Sequence, residues 1–173
     1  QTREVLRRAL PLLGRPHLGL ALGADFNVVS WGACLLALMA APDTHRMLEL
    51  AILHLPSSRT FLRLDLHLGP PQLSVFAEGA FGDNEVSSFL VEHTFASLCR
   101  VGRFVVAPSY RPLAVDFTMH KPQGAVPQFT HLFGCPVRFQ QPSNRLVYPA
   151  RTEPIATADE AVARLCERLL VPR

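Results

Sequence analysis

The chain reads as an α+β domain: an antiparallel or mixed sheet of about four to five strands with helices covering one face. Three observations predict this. Residues 61–68 alternate strictly, with leucine at positions 62, 64, 66 and 68 between Arg63, Asp65 and His67, which is the two-residue period of a half-buried strand. Residues 84–104 carry Val86, Phe89, Leu90, Phe95, Leu98 and Val101 at helical spacing, over a length no ordinary strand reaches. The elements also run in a mixed order: helices, hairpin, long helix, strand, short helix, hairpin, helix. That order lacks the many short strands of a jelly-roll barrel.

Each element has a local reason. Residues 2–13 form an amphipathic helix, capped by Thr2, with Val5, Leu6, Ala9 and Leu10 opposite Arg3, Arg7 and Arg8. Pro16 breaks it, and a short apolar segment, 18–22, leads to Gly23. Ser30 is positioned to cap a helix over 31–39 that is apolar on nearly every side and therefore buried. Pro42-Asp43-Thr44 opens a third helix, 45–54, which Pro56 ends. Gly69-Pro70-Pro71 turns the chain between strand 61–68 and strand 73–77. Asp83 caps the long helix. A third strand spans 113–120, with Leu113, Val115, Phe117 and Met119 inward, and a short helix follows over 124–133 with Phe129 and Leu132 inward. Residues 133–148 read as two short strands around a Pro142-Ser143-Asn144 turn. The last helix, 158–170, opens on a Thr157/Glu160 capping box, gathers Ala161, Val162, Leu165 and Leu169 on one side, and turns Arg164 and Arg168 to solvent. Phe76 falls in register with the polar side of its strand, where another helix or a partner subunit could cover it.

Composition narrows the function classes. The 173 residues suffice for one domain with a real core, and 49% hydrophobic against 18% charged residues makes that domain globular. No charge interrupts residues 26–42, yet this run is shorter than the ~20 apolar residues of a spanning helix, so a buried helix is expected and no membrane. A formal charge of +3 demands no nucleic acid. Cys34, Cys99, Cys135 and Cys166 are far apart and form no CxxC pair; buried reduced thiols are expected, without zinc or another cofactor. There is no Gly-x-Ser-x-Gly elbow, phosphate loop or HExxH, so an enzyme is not expected. Arg63, Asp65, His67, Asp116, His120 and Arg138 share a polar sheet face. Opposite charges paired across strands account for that set without a metal.

The segment Phe133-Gly134-Cys135-Pro136-Val137-Arg138-Phe139-Gln140-Gln141-Pro142-Ser143-Asn144-Arg145-Leu146-Val147-Tyr148 resembles the "FGCPV-x-F-x-x-P-x-N-x-L-V-F" block of one branch of AraC-type bacterial transcription regulators. That branch carries the arabinose-binding-like N-terminal domain of the ornithine-utilisation and virulence regulator type. Residues 12–23, LLGRPHLGLALG, look like the family's opening "L-x-G-D-P-x-L-G-L-x-L-G". Residues 40–48 stand where the family has "S-S-P-T-L-G-E-A-L". Better-known AraC-type regulators carry a cupin-like effector domain; the element order here departs from that, so no cupin residue is carried over. The resemblance implies a cytoplasmic bacterial sensor domain spanning 1–173 that binds a small effector, pairs with a second copy, and biases a helix-turn-helix DNA-binding half lying outside this chain. Because the chain starts at Gln1 without a methionine, it reads as an excerpt of a longer protein.

Four residues are the candidate ligand contacts: Trp31, Phe89, His93 and Phe117, set on apolar helix and strand positions with His93 as the polar member. Core packing is the plain alternative for Trp31 and Phe117, and a hydrogen-bonded core histidine for His93. The apolar lining predicts an apolar or mixed ligand, an expectation that a largest cavity lined by several charges overturns. The rival functions are a dimerisation module whose cavity is filled, recognisable by a largest cavity below about 300 Å³, and a small hydrolase, which needs a convergent acid, base and nucleophile.

Overall fold

Leu62, Leu64 and Leu66 point to one side of strand β1 (Leu62–Gly69), and Leu73, Val75 and Ala77 to the same side of β2 (Gln72–Gly79), so the two pair antiparallel with one apolar face. The structure, a computed structural model, describes residues 2–54, 62–79 and 84–170. The expected strand start at Phe61 and the cap Asp83 lie outside the described residues, as does the side chain of Thr2.

The described residues form seven helices and a five-stranded sheet, an α+β fold with an open mixed sheet in the order β1-β2-β5-β3-β4. β3 (Ala114–Asp116) and β5 (Asn144–Pro149) pair antiparallel, and β4 (Val137–Arg138) runs parallel to β3. The expected hairpin within 133–148 is therefore corrected: β3 lies between its two strands. β3 supplies ladder partners on both edges, to β5 on one side and β4 on the other. β3, helix α6 (Val126–Phe133) and β4 make a parallel crossover unit. The third strand is also shorter than 113–120. Beyond Asp116 the chain stays extended, with Phe117 N–H donating to Arg138 O at 2.8 Å and Gln140 N–H to Met119 O at 3.0 Å.

Helix α5 (Asn84–Val105) lies across the apolar face of the sheet. Its Phe95 ring meets Phe117 at 5.7 Å, and Cys99 Sγ lies 3.8 Å from the Tyr148 hydroxyl. Phe117 is the hub of an aromatic core, also touching Phe129, Phe133 and Phe139 at 5.4–6.0 Å between ring centroids. The opposite side of α5 is covered by α2 (Leu18–Ala24), which replaces the short apolar segment expected over 18–22. Gly19 and Gly23, one turn apart, let the two helix backbones close: a Cβ on Gly23 would sit 2.5 Å from His93 O and 2.6 Å from the Ala96 Cβ. With the sheet on one side and α2 on the other, α5 is buried over much of its circumference, and Glu92, Thr94 and Ser97 are buried with its apolar residues.

The remaining helices, α1 (Thr2–Leu13), α3 (Ala33–Ala40), α4 (Thr44–His54) and α7 (Glu160–Leu170), complete the helical layers. The helix expected over 31–39 is split. Val28–Trp31 is a 3-10 turn capped by Asn27 Oδ1, and Gly32 at φ 53° separates it from α3, a conformation suited to glycine. Ser30 is not the cap; its hydroxyl donates to Asn27 O. Asp43 Oδ1 caps α4 through Arg46 N–H at 2.9 Å. The cap of α7 is Asp159, whose Oδ1 accepts from Ala161 and Val162, while Thr157 instead donates to Met39 O and ties α7 back to α3. Arg46 links α4 to α7 through Glu167 at 2.7 Å. On α7 the buried residue is Cys166; Val162, Leu165 and Leu169 are 39%, 57% and 67% exposed, so the apolar side of the helix faces outward. In α6 it is Phe129 and Phe133 that are buried, with Leu132 only partly so.

Candidate functional site

A cavity of about 690 Å³ opens where α1, the α1–α2 connection, α5 and the segment after β3 meet. Leu10 comes from α1, and Arg15, Pro16 and His17 from the connection. Leu18 begins α2, Glu85, Ser88, Phe89 and Glu92 lie on one face of α5, and Thr118, Met119 and His120 follow β3.

Its fixed point is a buried pair. His17 Nδ1 and Glu92 Oε1 lie 2.7 Å apart, with Glu92 almost fully buried and the imidazole mostly so. The local chain explains the placement. His17 sits at the N-cap position of α2 in the left-handed region, φ 56° and ψ 35°, an uncommon conformation for a non-glycine residue. Its side chain does not cap the helix. Glu92 reaches across from α5 instead, and its Oε2 accepts from Leu20 N–H at 3.4 Å. A carboxylate beside an N-terminal turn suits the positive end of the helix. Burial pushes the Glu92 carboxyl above its usual range, and the hydrogen bond and charge of His17, with the Leu20 N–H, pull it back. The close passage of Gly19 over Glu92 and the Phe89 carbonyl holds the connection over α5, so the pair and the helix packing depend on each other.

The other polar groups of the wall are less enclosed. His120 Nδ1 accepts from Gln140 Nε2 at 3.3 Å. Thr118 donates both its N–H and its hydroxyl to Asn144 Oδ1, at 2.8 and 3.3 Å. Arg15 and Glu85 are exposed at the mouth. Leu10, Leu18, Phe89 and Met119 supply the apolar surface. The expectation of an apolar lining is thus corrected: Arg15, His17, Glu85, Glu92 and His120 share the wall with that apolar surface.

Of the sequence candidates, Phe89 lies on this wall. His93 follows it one turn later and stacks on it at 6.4 Å, with Phe26 edge-on at 6.3 Å. Phe26 in turn meets Trp31 at 5.4 Å. Trp31 and His93 thus form an aromatic cluster with Phe26, joined to the cavity through Phe89. Burial lowers the pKa of His93. Phe117 is fully buried in the aromatic core described above. His17, Glu92, Arg15 and His120 were not singled out as ligand contacts. One sequence signal for them exists: Glu92 is an acid directly after Leu90 and Val91 in a helix apolar over much of its circumference, and buried acids are seldom unpartnered.

The six residues expected on one polar sheet face separate into groups. Asp116 is buried between Arg138 and Arg145, with Oδ1 2.6 Å from one Nε and Oδ2 2.6 Å from the other, a pairing across three strands. Arg63 pairs with Asp65 at 3.1 Å, and His67 packs edge-on against Phe76 at 5.1 Å, which half-buries that ring without a partner subunit. His120 leaves the set for the cavity wall. A second cleft of about 480 Å³ lies by Arg63, Phe76, Glu78 and Asn144. Among the described residues no group of three His, Cys, Asp or Glu is placed to hold a metal ion, and no helix is long and apolar enough to cross a membrane.

Residues 1–152 match the family described as the arabinose-binding domain of AraC transcription regulators, N-terminal. The ornithine utilization regulator of Pseudomonas aeruginosa is 25% identical over 162 residues, covering 92% of this chain and 48% of its own length. In fold, the crystal structure of transcriptional regulator CdpR from Pseudomonas aeruginosa is similar at a TM-score of 0.77 and 20% identity, over 98% of this chain and 56% of that one. The chain spans about half the length of these relatives. With the match running over most of its residues, the chain belongs to the family of N-terminal arabinose-binding domains of AraC transcription regulators.

Proposed function

We propose that this chain is the sensory domain of a bacterial, cytoplasmic transcription regulator, that it has no catalytic role, and that it binds a small effector in the cavity between the α1–α2 connection and α5. The observation that carries this reading is the cavity of about 690 Å³ with a buried His17–Glu92 pair in its wall. Its volume falls within the range of small-molecule sites and above the 300 Å³ that separates a sensor from a filled dimerisation module. Its wall joins two elements, the α1–α2 connection and α5. A ligand touching both Arg15 or His17 and the α5 face favours one spacing of that pair over another. Such differential affinity is what biases an attached DNA-binding half. The mixed lining supports a ligand with both polar and apolar parts.

A thermal-shift screen of the 173-residue chain against amino acids, fatty acids and aromatic metabolites tests the reading. A ligand at a hundred times its dissociation constant stabilises the fold by about 2.7 kcal/mol, several degrees in melting temperature. The shift is expected to vanish when Ser88→Trp fills the cavity. A shift that survives this substitution places the ligand elsewhere.

A second reading, an interaction module that pairs with another copy, is favoured by the outward-facing Val162, Leu165 and Leu169 of α7. Sedimentation of the chain and of a Leu165→Glu variant separates the two. A dimer that this substitution dissociates supports pairing through α7, and a monomer at every concentration removes that reading.

A further inference from the structure

We propose that the cavity selects a small organic acid, whose carboxylate is held by Arg15 and by His17 Nε2–H and whose carbon chain lies against Phe89 and Met119. The inference rests on the reading of this cavity as the effector site and adds the ligand's chemistry. It follows from a census of which polar groups in the wall still have capacity to spend.

Glu92 has little. One of its oxygens engages His17 Nδ1 and the other Leu20 N–H, and the side chain is almost fully buried. A ligand ammonium would meet only the small part of the carboxylate that reaches the surface. Thr118 has spent its N–H and its hydroxyl on Asn144. Among the charged groups of the wall, the donor with capacity left is Arg15. Arg15 makes no ion pair among the described residues and offers five N–H groups at the mouth. His120 has its Nδ1 engaged by Gln140 at 3.3 Å. His17 has its Nδ1 tied to Glu92, so Nε2 is the ring atom left for a ligand.

When Nδ1 accepts from a protonated Glu92, Nε2 carries the N–H that a ligand carboxylate needs; when Nδ1 donates to the ionised carboxylate, Nε2 is an acceptor, so a bound acid draws the pair toward the first arrangement. Burial of Glu92, which favours its protonated form, acts in the same direction. The left-handed backbone at His17 is a second sign of a constrained position: the ring is aimed by an uncommon conformation and fixed by a partner 75 residues away. The acceptor left in the wall with its charge unspent is Glu85. It is exposed in the first turn of α5, where water and salt screen it.

The test is a titration calorimetry series on the 173-residue chain with hexanoate and 3-phenylpropionate, each beside its amide and the amine of equal length. Charge-assisted hydrogen bonds exceed neutral ones, so each acid is expected to bind at least about tenfold more tightly than its amide and its amine. His17→Asn, which tolerates the left-handed backbone, and Arg15→Gln, an exposed loop change that leaves the packing intact, are each expected to remove most of that preference. An amine or amide that binds as tightly as its acid overturns the acid preference while leaving the cavity a ligand site, provided its binding is lost in Ser88→Trp. An acid preference that persists in both variants also overturns the assignment. Absence of binding by all three classes overturns this inference and the effector reading together.

Discussion

At the scale of single residues, the described interior holds few charged side chains, and each is answered by a specific partner. Asp116 is answered twice. Asp116→Asn leaves Arg138 and Arg145 facing each other without the intervening charge. Both arginines keep contact with water, so the expected loss is about 1–3 kcal/mol, below that of a fully buried pair. Urea denaturation checks it, and an unchanged midpoint would mean that solvent already satisfies the arginines. His93 gives a pH prediction. Its folded pKa lies below that of the unfolded chain because burial disfavours the imidazolium among Phe26 and Phe89. Above the unfolded value of about 6.5 both states are neutral at this site and its contribution is complete. As pH falls through that value the unfolded chain takes up a proton first, and stability is lost down to the folded pKa. His93→Gln is expected to flatten this part of the stability profile below about pH 6.5, and an unaltered slope assigns the loss to other groups. Little of this was legible in the chain. The composition of the sheet's polar face announced paired charges, yet the partner Arg145 is set by register, and His17 sits in a loop whose partner lies far along the sequence.

At the scale of elements, what could be read followed from period and punctuation. The leucines of β1 and the long apolar helix α5 were visible because their patterns are local and strong. The β4–β5 hairpin was misread because strands as short as Val137–Arg138 state only which side chains share a face. They do not state which neighbour they pair with, and β3, more than twenty residues upstream, entered between them. The short helix α2 was hidden by its two glycines, normally poor helix formers, whose value lies in contact with α5. That contact yields a prediction. Gly23→Ala places a methyl group against His93 O and Ala96 and must push α2 outward. Overpacking of this kind costs about 1–3 kcal/mol. Because α2 carries His17 over Glu92, the same substitution is expected to weaken binding to the cavity beyond its effect on folding. Chemical denaturation and ligand titration on one sample measure both, and a stability loss with unchanged affinity would uncouple the helix pair from the site.

At the scale of the whole molecule, the stabilising surface is unevenly distributed. The sheet, α5 and α6 converge on the Phe117 aromatic core, and α2 seals the far side of α5. Helix α7 is different. It packs on α3, is tied by the Thr157 and Arg46 contacts, and leaves Val162, Leu165 and Leu169 in solvent. A helix with its strongest apolar stripe outward gains little from its own fold and opens at low cost. Amide hydrogen exchange reads this directly. Amides in the middle of α5 are expected to exchange only through global unfolding, and those of α7 at least about a hundredfold faster through local opening. The comparison also carries information on assembly. Protection of α7 that rises with protein concentration, while that of α5 stays constant, means a second copy covers the stripe. Protection that is low at every concentration means the stripe stays uncovered in this chain alone. The cavity, by contrast, lies at the α2–α5 junction, between the firm core and a layer held by two glycines and one buried pair. A ligand bound there is expected to slow exchange in α2 more than in α5, since α2 is the wall with stability left to gain.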